Sequence, residues 1–212
     1  MRLSVLIPTI TPRQSVLSRA LWYLDQQSGD FEVIVHGDDE LGLGDKINAM
    51  VAAAGGDYVT VLDDDDHLTL DYMSSVLPAC ESVDAIGYRF LALKDGRHWL
   101  SIEHDPRNEF NGSTRAQRGT KVVRRSVCQK IPIRRELAAQ VTFGNEYTAD
   151  FPWSEAIHGM VETSTFIDRH LYVYDWWPET MAFKDGREQR GEWNPQRNLG
   201  QWPYRNDLVR WM

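Results

Sequence analysis

Cysteine is nearly missing from this chain. Cys80 and Cys128 are the only two in 212 residues, too few for a disulfide framework. Long apolar runs are missing too: none approaches the roughly 18 residues that a membrane helix needs. The opening MRLSVLIPTI has too short an apolar segment for a signal peptide and is broken by Pro8. These absences point to a cytoplasmic protein with free thiols and no membrane span. Positive charge is in short supply, with 23 Lys and Arg against 31 Asp and Glu and a net charge of −8. That argues against a nucleic-acid binder, whose affinity comes from neutralising phosphates. One segment runs the other way, STRAQRGTKVVRRSVCQKIPIRR from Ser113 to Arg135. It reads either as a solvated face or as a surface for an anionic substrate or partner.

What is present fits a folded domain. The chain is 42% hydrophobic and 25% charged, enough for a sizeable core. The apolar run LSVLI (Leu3 to Ile7) suits a strand buried on both faces. TPRQ follows, with Thr11 expected as a helix cap, Pro12 at the first helical position and Gln14 three residues after the cap. Val16, Leu17, Ala20, Leu21 and Leu24 then recur at helical spacing. FEVIV (Phe31 to Val35) reads as a second strand, Asp45 to Ala54 as a second helix and YVTVL as a third strand. Strand, helix, strand, helix, strand with short links implies right-handed crossovers and a mostly parallel sheet with helices on both faces.

The later chain is less regular. SVDAIGYRFLALKDGRHWLSIE reads as strands joined by an Asp95-Gly96 turn. IPIRRELAAQVTF is expected to be helical from about Arg134, DFPWSEAIHGMVE to be a helix entered through Pro152, and HLYVYDWW to be a late strand. From Trp176 onward Trp, Pro, Gly, Asn and Arg occur with no clear period. No internal repeat or low-complexity linker divides the chain, so residues 1–212 are read as a single α/β domain with an irregular C-terminal segment.

Pro8-Thr9, Asp38-Asp39 and the run Asp63 to Asp66 all fall at the carboxyl ends of predicted strands, where ligands bind in such sheets. Four adjacent carboxylates repel one another and resist ionising together. They make sense around a divalent cation, and all-oxygen ligands suit Mg2+ or Mn2+; a solvated acidic loop is the plainer alternative. Along an extended chain Asp63 and Asp65 would share one side, Asp64 and Asp66 the other. An EF-hand beginning at Asp63 would need Gly and Glu where the chain has Leu68 and Ser74. A phosphatase Asp-x-Asp-x-Thr would need Thr where His67 stands. A sugar-nucleotide pyrophosphorylase should carry a Gly-rich phosphate loop, and IPTITPRQ contains no glycine.

As a set, VLIPTI, VIVHGDDE, GDKINAMVAAAGGDYV and VLDDDDHL resemble the family 2 glycosyltransferases of the GT-A fold over roughly Arg2 to Leu77. The later IPIRRELAAQVTFGNEYTADFPWSEAI is similar to the family's segment leading into the Glu-Asp pair that carries its catalytic base. Here Ala149 stands in place of the usual Glu, Asp150 takes the base position and Glu146 is a nearby substitute. LYVY (Leu171 to Tyr174) resembles the strand that follows. The family's later metal-ligating histidine has no clear counterpart, although His170 lies near.

The resemblance implies a metal-dependent, inverting transfer of a hexose from a nucleotide-diphosphate sugar, a UDP-sugar by preference, to an acceptor hydroxyl. Pro8 and Thr9 would line the base pocket, Asp39 would accept from the uracil imide with Asp38 as runner-up, and Asp63 would bind ribose or base. Lys46 would approach the diphosphate or lie on the helix surface. Asp65 and Asp66 would hold Mn2+ or Mg2+; Asp64 joins the nucleotide-sugar group but is expected to be solvent-facing or structural. Asp150 would be the catalytic base, or else cap its helix. Residues 1–105 would form the nucleotide-sugar half, 106–175 the acceptor half and 176–212 a Trp-rich tail, with Trp153, Trp176 and Trp177 as sugar-stacking candidates. The competing readings are a GT-A-like module that binds nucleotide without transfer, and a pyrophosphorylase. Acceptor identity and oligomeric state are left open.

Overall fold

The structure is a computed structural model and describes residues 3–94, 96–110, 122–176 and 209–212. Its first half follows the hydrophobic pattern. β1 (Leu3–Pro8), β2 (Phe31–His36) and β3 (Tyr58–Val61) are buried at every position. Each fully buried Val, Leu or Ile contributes about 1.5–3 kcal/mol. β1 is central, pairing in parallel with β2 on one side and β3 on the other. α1 (Gln14–Asp25) links β1 to β2, and α2 (Leu43–Ala53) links β2 to β3. Because the two crossovers run to opposite sides of β1, their right-handedness puts α1 and α2 on opposite faces of the sheet.

The entry to α1 departs from expectation. Thr11–Arg13 form a 3-10 turn, and the residue preceding α1 is Arg13, which makes no side-chain cap bond. Thr11 is therefore not the helix cap. Its backbone N–H instead donates to Asp39 Oδ1 at 2.8 Å, tying the turn to the loop after β2.

Beyond β3 come β4 (His67–Leu68), α3 (Tyr72–Val76), β5 (Ala85–Lys94), β6 (Arg97–His104), β7 (Val122–Arg125), β8 (Ile133–Arg134), α4 (Arg135–Ala138), α5 (Asp150–His158), β9 (Ser164–Trp176) and β10 (Val209–Trp211). The sheet order is β10-β2-β1-β3-β8-β5-β6-β7, with β9 pairing β4 and β5. β5 and β6 form the expected hairpin, and Gly96 adopts φ +72°, a left-handed conformation that glycine takes without strain. Asp95 lies outside the described residues.

Two segments differ from their sequence pattern. The helix expected from Arg134 lasts only from Arg135 to Ala138, because the following residues bind elsewhere. Phe143 exchanges two hydrogen bonds with the Asn48 side chain, at 2.9 Å each, and Val141 O accepts from the Trp153 indole at 3.1 Å. At Gly44 in α2 an added Cβ would lie 2.1 Å from Gly144 O, so α2 docks on this loop only through glycine. The other difference is β10, which lies in the tail read as irregular and pairs in parallel with β2. Among the described residues no helix is long and apolar enough to cross a membrane.

Candidate active site

The four aspartates follow β3, but not as an extended chain. Asp66 N–H donates to Asp63 O at 3.1 Å, closing a turn, and His67–Leu68 then pair antiparallel with β9. The alternation expected of a strand is therefore replaced. Ligand oxygens of Asp63, Asp65 and Asp66 lie within 4.8 Å of one another, whereas Asp64 turns away. Asp64 is 2% exposed, which excludes the solvent-facing alternative and leaves the structural one. It accepts from Thr9 Oγ1 at 2.6 Å and lies 3.0 Å from Arg13 Nη1. Burial pushes its carboxyl up to about 7, with Arg13 opposing the rise.

Cations from distant segments meet this turn. Arg13 Nη2 lies 2.6 Å from Asp65 Oδ2, and Arg19 donates to the Asp65 carbonyl while binding Asp175 at 2.6 Å. Lys130 contacts Asp63 and lies 3.3 Å from Asp66 Oδ2. Its ammonium faces the rings of Tyr172 and Tyr174, 5.3 and 5.0 Å from their centroids. Lys130 belongs to the basic segment Ser113 to Arg135, so the solvated-face reading fails at this residue; residues 111–121 of that segment lie outside the described ones. Burial works against the Lys130 charge, but Asp63 and Asp66 outweigh it and hold the lysine protonated.

Asp66 is the deepest member. Its Oδ1 accepts from the Asp175 N–H at 2.9 Å and its Oδ2 from the Tyr172 hydroxyl at 2.6 Å. Burial pushes this carboxyl up to about 7, with Lys130 as the chief opposing influence. Asp63 and Asp65 keep partly exposed carboxylates, 36% and 20%. A hard divalent ion such as Mg2+ or Mn2+ takes oxygen ligands of this kind, so the donor set fits one. Asp63 and Asp65 would hold it from the open side and Asp66 from behind.

The other rim candidates surround Thr9. Pro8 ends β1, and Thr9 N–H donates to His36 O at 2.9 Å. Lys46 is buried, not on the helix surface, and its ammonium donates to Thr9 O at 2.7 Å. Burial lowers its pKa, against the charges of Asp39, Asp38 and Asp64. Asp39 sits below the usual carboxylate range, chiefly because it accepts from the Thr11 backbone. Asp38 Oδ1 accepts from Glu40 N–H at 2.8 Å.

Asp150 is exposed as the first residue of α5, which Ala149 precedes at the cap position. Asp150 is therefore not the cap. It lies near Cys128, whose thiol is pushed up to about 12 by burial, with the Asp150 charge adding to the rise. Glu146 is exposed on the preceding loop, and its N–H-accepting carbonyl binds Ala149 at 3.0 Å. Trp153 is 5% exposed and its indole is used by Val141, so it is a core residue and not a sugar platform. Trp176 closes β9; Trp177 lies outside the described residues. His170 bonds Ser101 Oγ at 2.8 Å, away from the aspartates. Lys130, Tyr172 and Asp175 are the site residues that sequence patterns missed; Arg13, weighed like Lys46 for the diphosphate or the surface, pairs with Asp64 and Asp65. The one available signal was Lys130 standing alone before the apolar Ile-Pro-Ile.

A parallel βαβαβ unit with a carboxylate cluster at the end of β3 is the arrangement expected of a GT-A fold. Glycosyl transferase family 2 matches residues 5–142. The chain belongs to that family. S. aureus TarS has the same fold at 17% identity and TM-score 0.62, over 86% of this chain and 38% of that one. TarS 1-349 in complex with UDP-GlcNAc gives 16% identity and TM-score 0.63, over 83% and 59%. The mannosyltransferase PcManGT of Pyrobaculum calidifontis, in complex with GDP-Man and Mn2+, gives 15% and 0.52, over 81% and 56%. The chain thus spans less than two thirds of the length of these structures. No curated protein matches it.

Proposed function

We propose that this domain transfers a hexose from a UDP-sugar to an acceptor hydroxyl by a single, inverting displacement that depends on Mn2+ or Mg2+. The observation that carries the reading is the convergence of Asp63, Asp65 and Asp66 within 4.8 Å at the carboxyl end of β3. Family membership supports it, as do the nucleotide sugars named in the TarS and PcManGT structures. The bound cation would supply Lewis-acid stabilisation of the charge growing on the diphosphate.

The chain's own residues do the rest. Pro8, Thr9 and Asp39 border the base pocket, and Asp63 faces the ribose. Lys46 fixes the Thr9 carbonyl and thereby the floor of that pocket. Asp64, through Thr9 and Arg13, holds the loop after β1 against the aspartate turn. Asp150, exposed and at a helix start, takes the proton from the acceptor hydroxyl as its oxygen bonds to the anomeric carbon. The bond from that carbon to the diphosphate oxygen breaks on the opposite face, and one displacement inverts the configuration. The helix dipole favours the Asp150 anion by about 0.3–1 kcal/mol, which suits a base.

The test is thermal unfolding with nucleoside diphosphates, with and without Mn2+. UDP with Mn2+ should raise the midpoint most, and Asp65→Asn should remove both that shift and transfer. A preference for GDP or CDP would overturn the donor class. Unchanged metal and UDP binding in Asp65→Asn would overturn the site.

A further inference from the structure

Lys130 is fixed more firmly than a surface lysine needs to be. Val61 N–H donates to Gln129 O at 2.9 Å, Tyr88 OH to Lys130 O at 2.5 Å, and Ile86 N–H to Pro132 O at 3.0 Å. The backbone around Lys130 is thus held against β3 and β5, and the ammonium is delivered to one place. That place is between Asp63 and Asp66, over two tyrosine rings. These oxygens belong to the same cluster that would take a divalent ion. Two cations cannot share them at such range without strong repulsion. A lysine ammonium, a point charge on a flexible four-carbon stem, can swing away where a packed backbone cannot.

We infer that Lys130 is the resident cation of the Asp63–Asp66 side of the cluster, Arg13 being paired with Asp65 at 2.6 Å, and that a divalent ion binds only by displacing Lys130 from Asp63 and Asp66. This rests on the reading of that cluster as the metal site. It explains how a largely buried carboxylate such as Asp66 is tolerated without metal: an internal charge neutralises it. It also makes metal affinity a property that Lys130 sets, because every ion bound must first break the lysine's contacts. Once displaced, the ammonium has a new counter-charge within the same site when a diphosphate is present, so metal and nucleotide should reinforce one another.

The direct test is Mn2+ titration of the whole protein followed by electron paramagnetic resonance, without nucleotide. Lys130→Met should bind Mn2+ more tightly by at least about tenfold, since a like charge at contact distance has gone; Lys130→Arg should stay near the parent or bind more weakly. Equal or weaker binding by Lys130→Met, with Mn2+ still lost in Asp65→Asn, overturns the inference and leaves the metal site standing. If no form binds Mn2+, the metal site falls and the inference with it. Should Lys130→Met fail to fold, the parent labelled with 15N-lysine decides. The ammonium signal missing in Lys130→Arg should shift or vanish as Mg2+ is added. A signal unmoved at saturating Mg2+ overturns the displacement.

Discussion

At the amino ends of the parallel strands, Ser4 Oγ donates to Glu32 Oε1 at 2.7 Å, Gly55 N–H donates to the same oxygen at 2.7 Å, and Gly56 N–H donates to Ser4 at 3.0 Å. At the carboxyl ends of those same strands lie four aspartates with Arg13 and Lys130. The first group joins one carboxylate to a hydroxyl and to backbone N–H groups, and its bonds tie β1, β2 and the lead into β3 together. The second has more negative charge than a fold needs, and it recruits cations from two distant segments to be tolerated. Buried polar groups that only join strands can be satisfied locally. Buried charge in excess of that requirement marks a place built for a ligand.

Substitutions at the two ends should therefore separate function from folding. The largest effect is expected at Asp150, where Asn should lower turnover by about 10²–10⁴-fold while thermal unfolding and UDP binding stay near parental. Near-parental turnover on the true acceptor would remove Asp150 from the mechanism and make Glu146 the residue to test. At the amino end, Glu32→Ala should cost about 1–3 kcal/mol, the penalty for stranding buried donors. Urea unfolding would measure it, and the Mn2+-dependent shift with UDP should persist. If Glu32→Ala abolished that shift in a folded protein, the contrast between the ends would fail.

A pH-dependent effect concerns His104, buried beside Phe90. Its Nδ1 donates to Ser126 O at 2.9 Å, and Cys128 Sγ lies 3.8 Å from Nε2. Burial lowers its pKa to about 3, against the Ser126 bond and with help from the Arg125 and Lys130 charges. The folded state therefore binds fewer protons than the unfolded one between about pH 6.5 and 3. Stability from this residue is complete above that window and declines as pH falls through it, by up to about 1.4 kcal/mol per pH unit. His104→Asn should flatten the acid limb of a stability–pH profile; an unchanged slope would assign that limb to other groups.

The first three strands and two helices were legible because their signals are local: an apolar run, a helical period, a short link. The run Asp63 to Asp66 stood out for the same reason, since the four are neighbours in sequence, but that Asp63 joins Asp65 and Asp66 in one cluster was not read from it. What could not be read is what depends on distant pairing. Ile133 and Arg134 form a strand only because β3 and β5 lie on either side, and Val209–Trp211 only because β2 offers an edge. Asp64 was left as solvent-facing or structural, and the turn decides for the structural role, buried against Thr9 and Arg13. Lys130 was hidden in a segment rich in Arg and Lys, where its place before the apolar Ile-Pro-Ile was the one local mark of the residue that goes inside. Trp153 was credited with a ligand when Val141 was its partner.

The place of β8 in the sheet has a consequence for synthesis. β3 is complete at Val61, yet its outer neighbour is Ile133–Arg134. At about 5–20 residues per second, the newborn βαβαβ unit waits several seconds with that edge bare. An unpaired edge is a template for wrong partners, and the four residues of β3 keep it short. The unit can form early from its own contacts, but the sheet cannot close until much later chain arrives. Refolding from denaturant should accordingly be slow and concentration-sensitive, as high contact order demands.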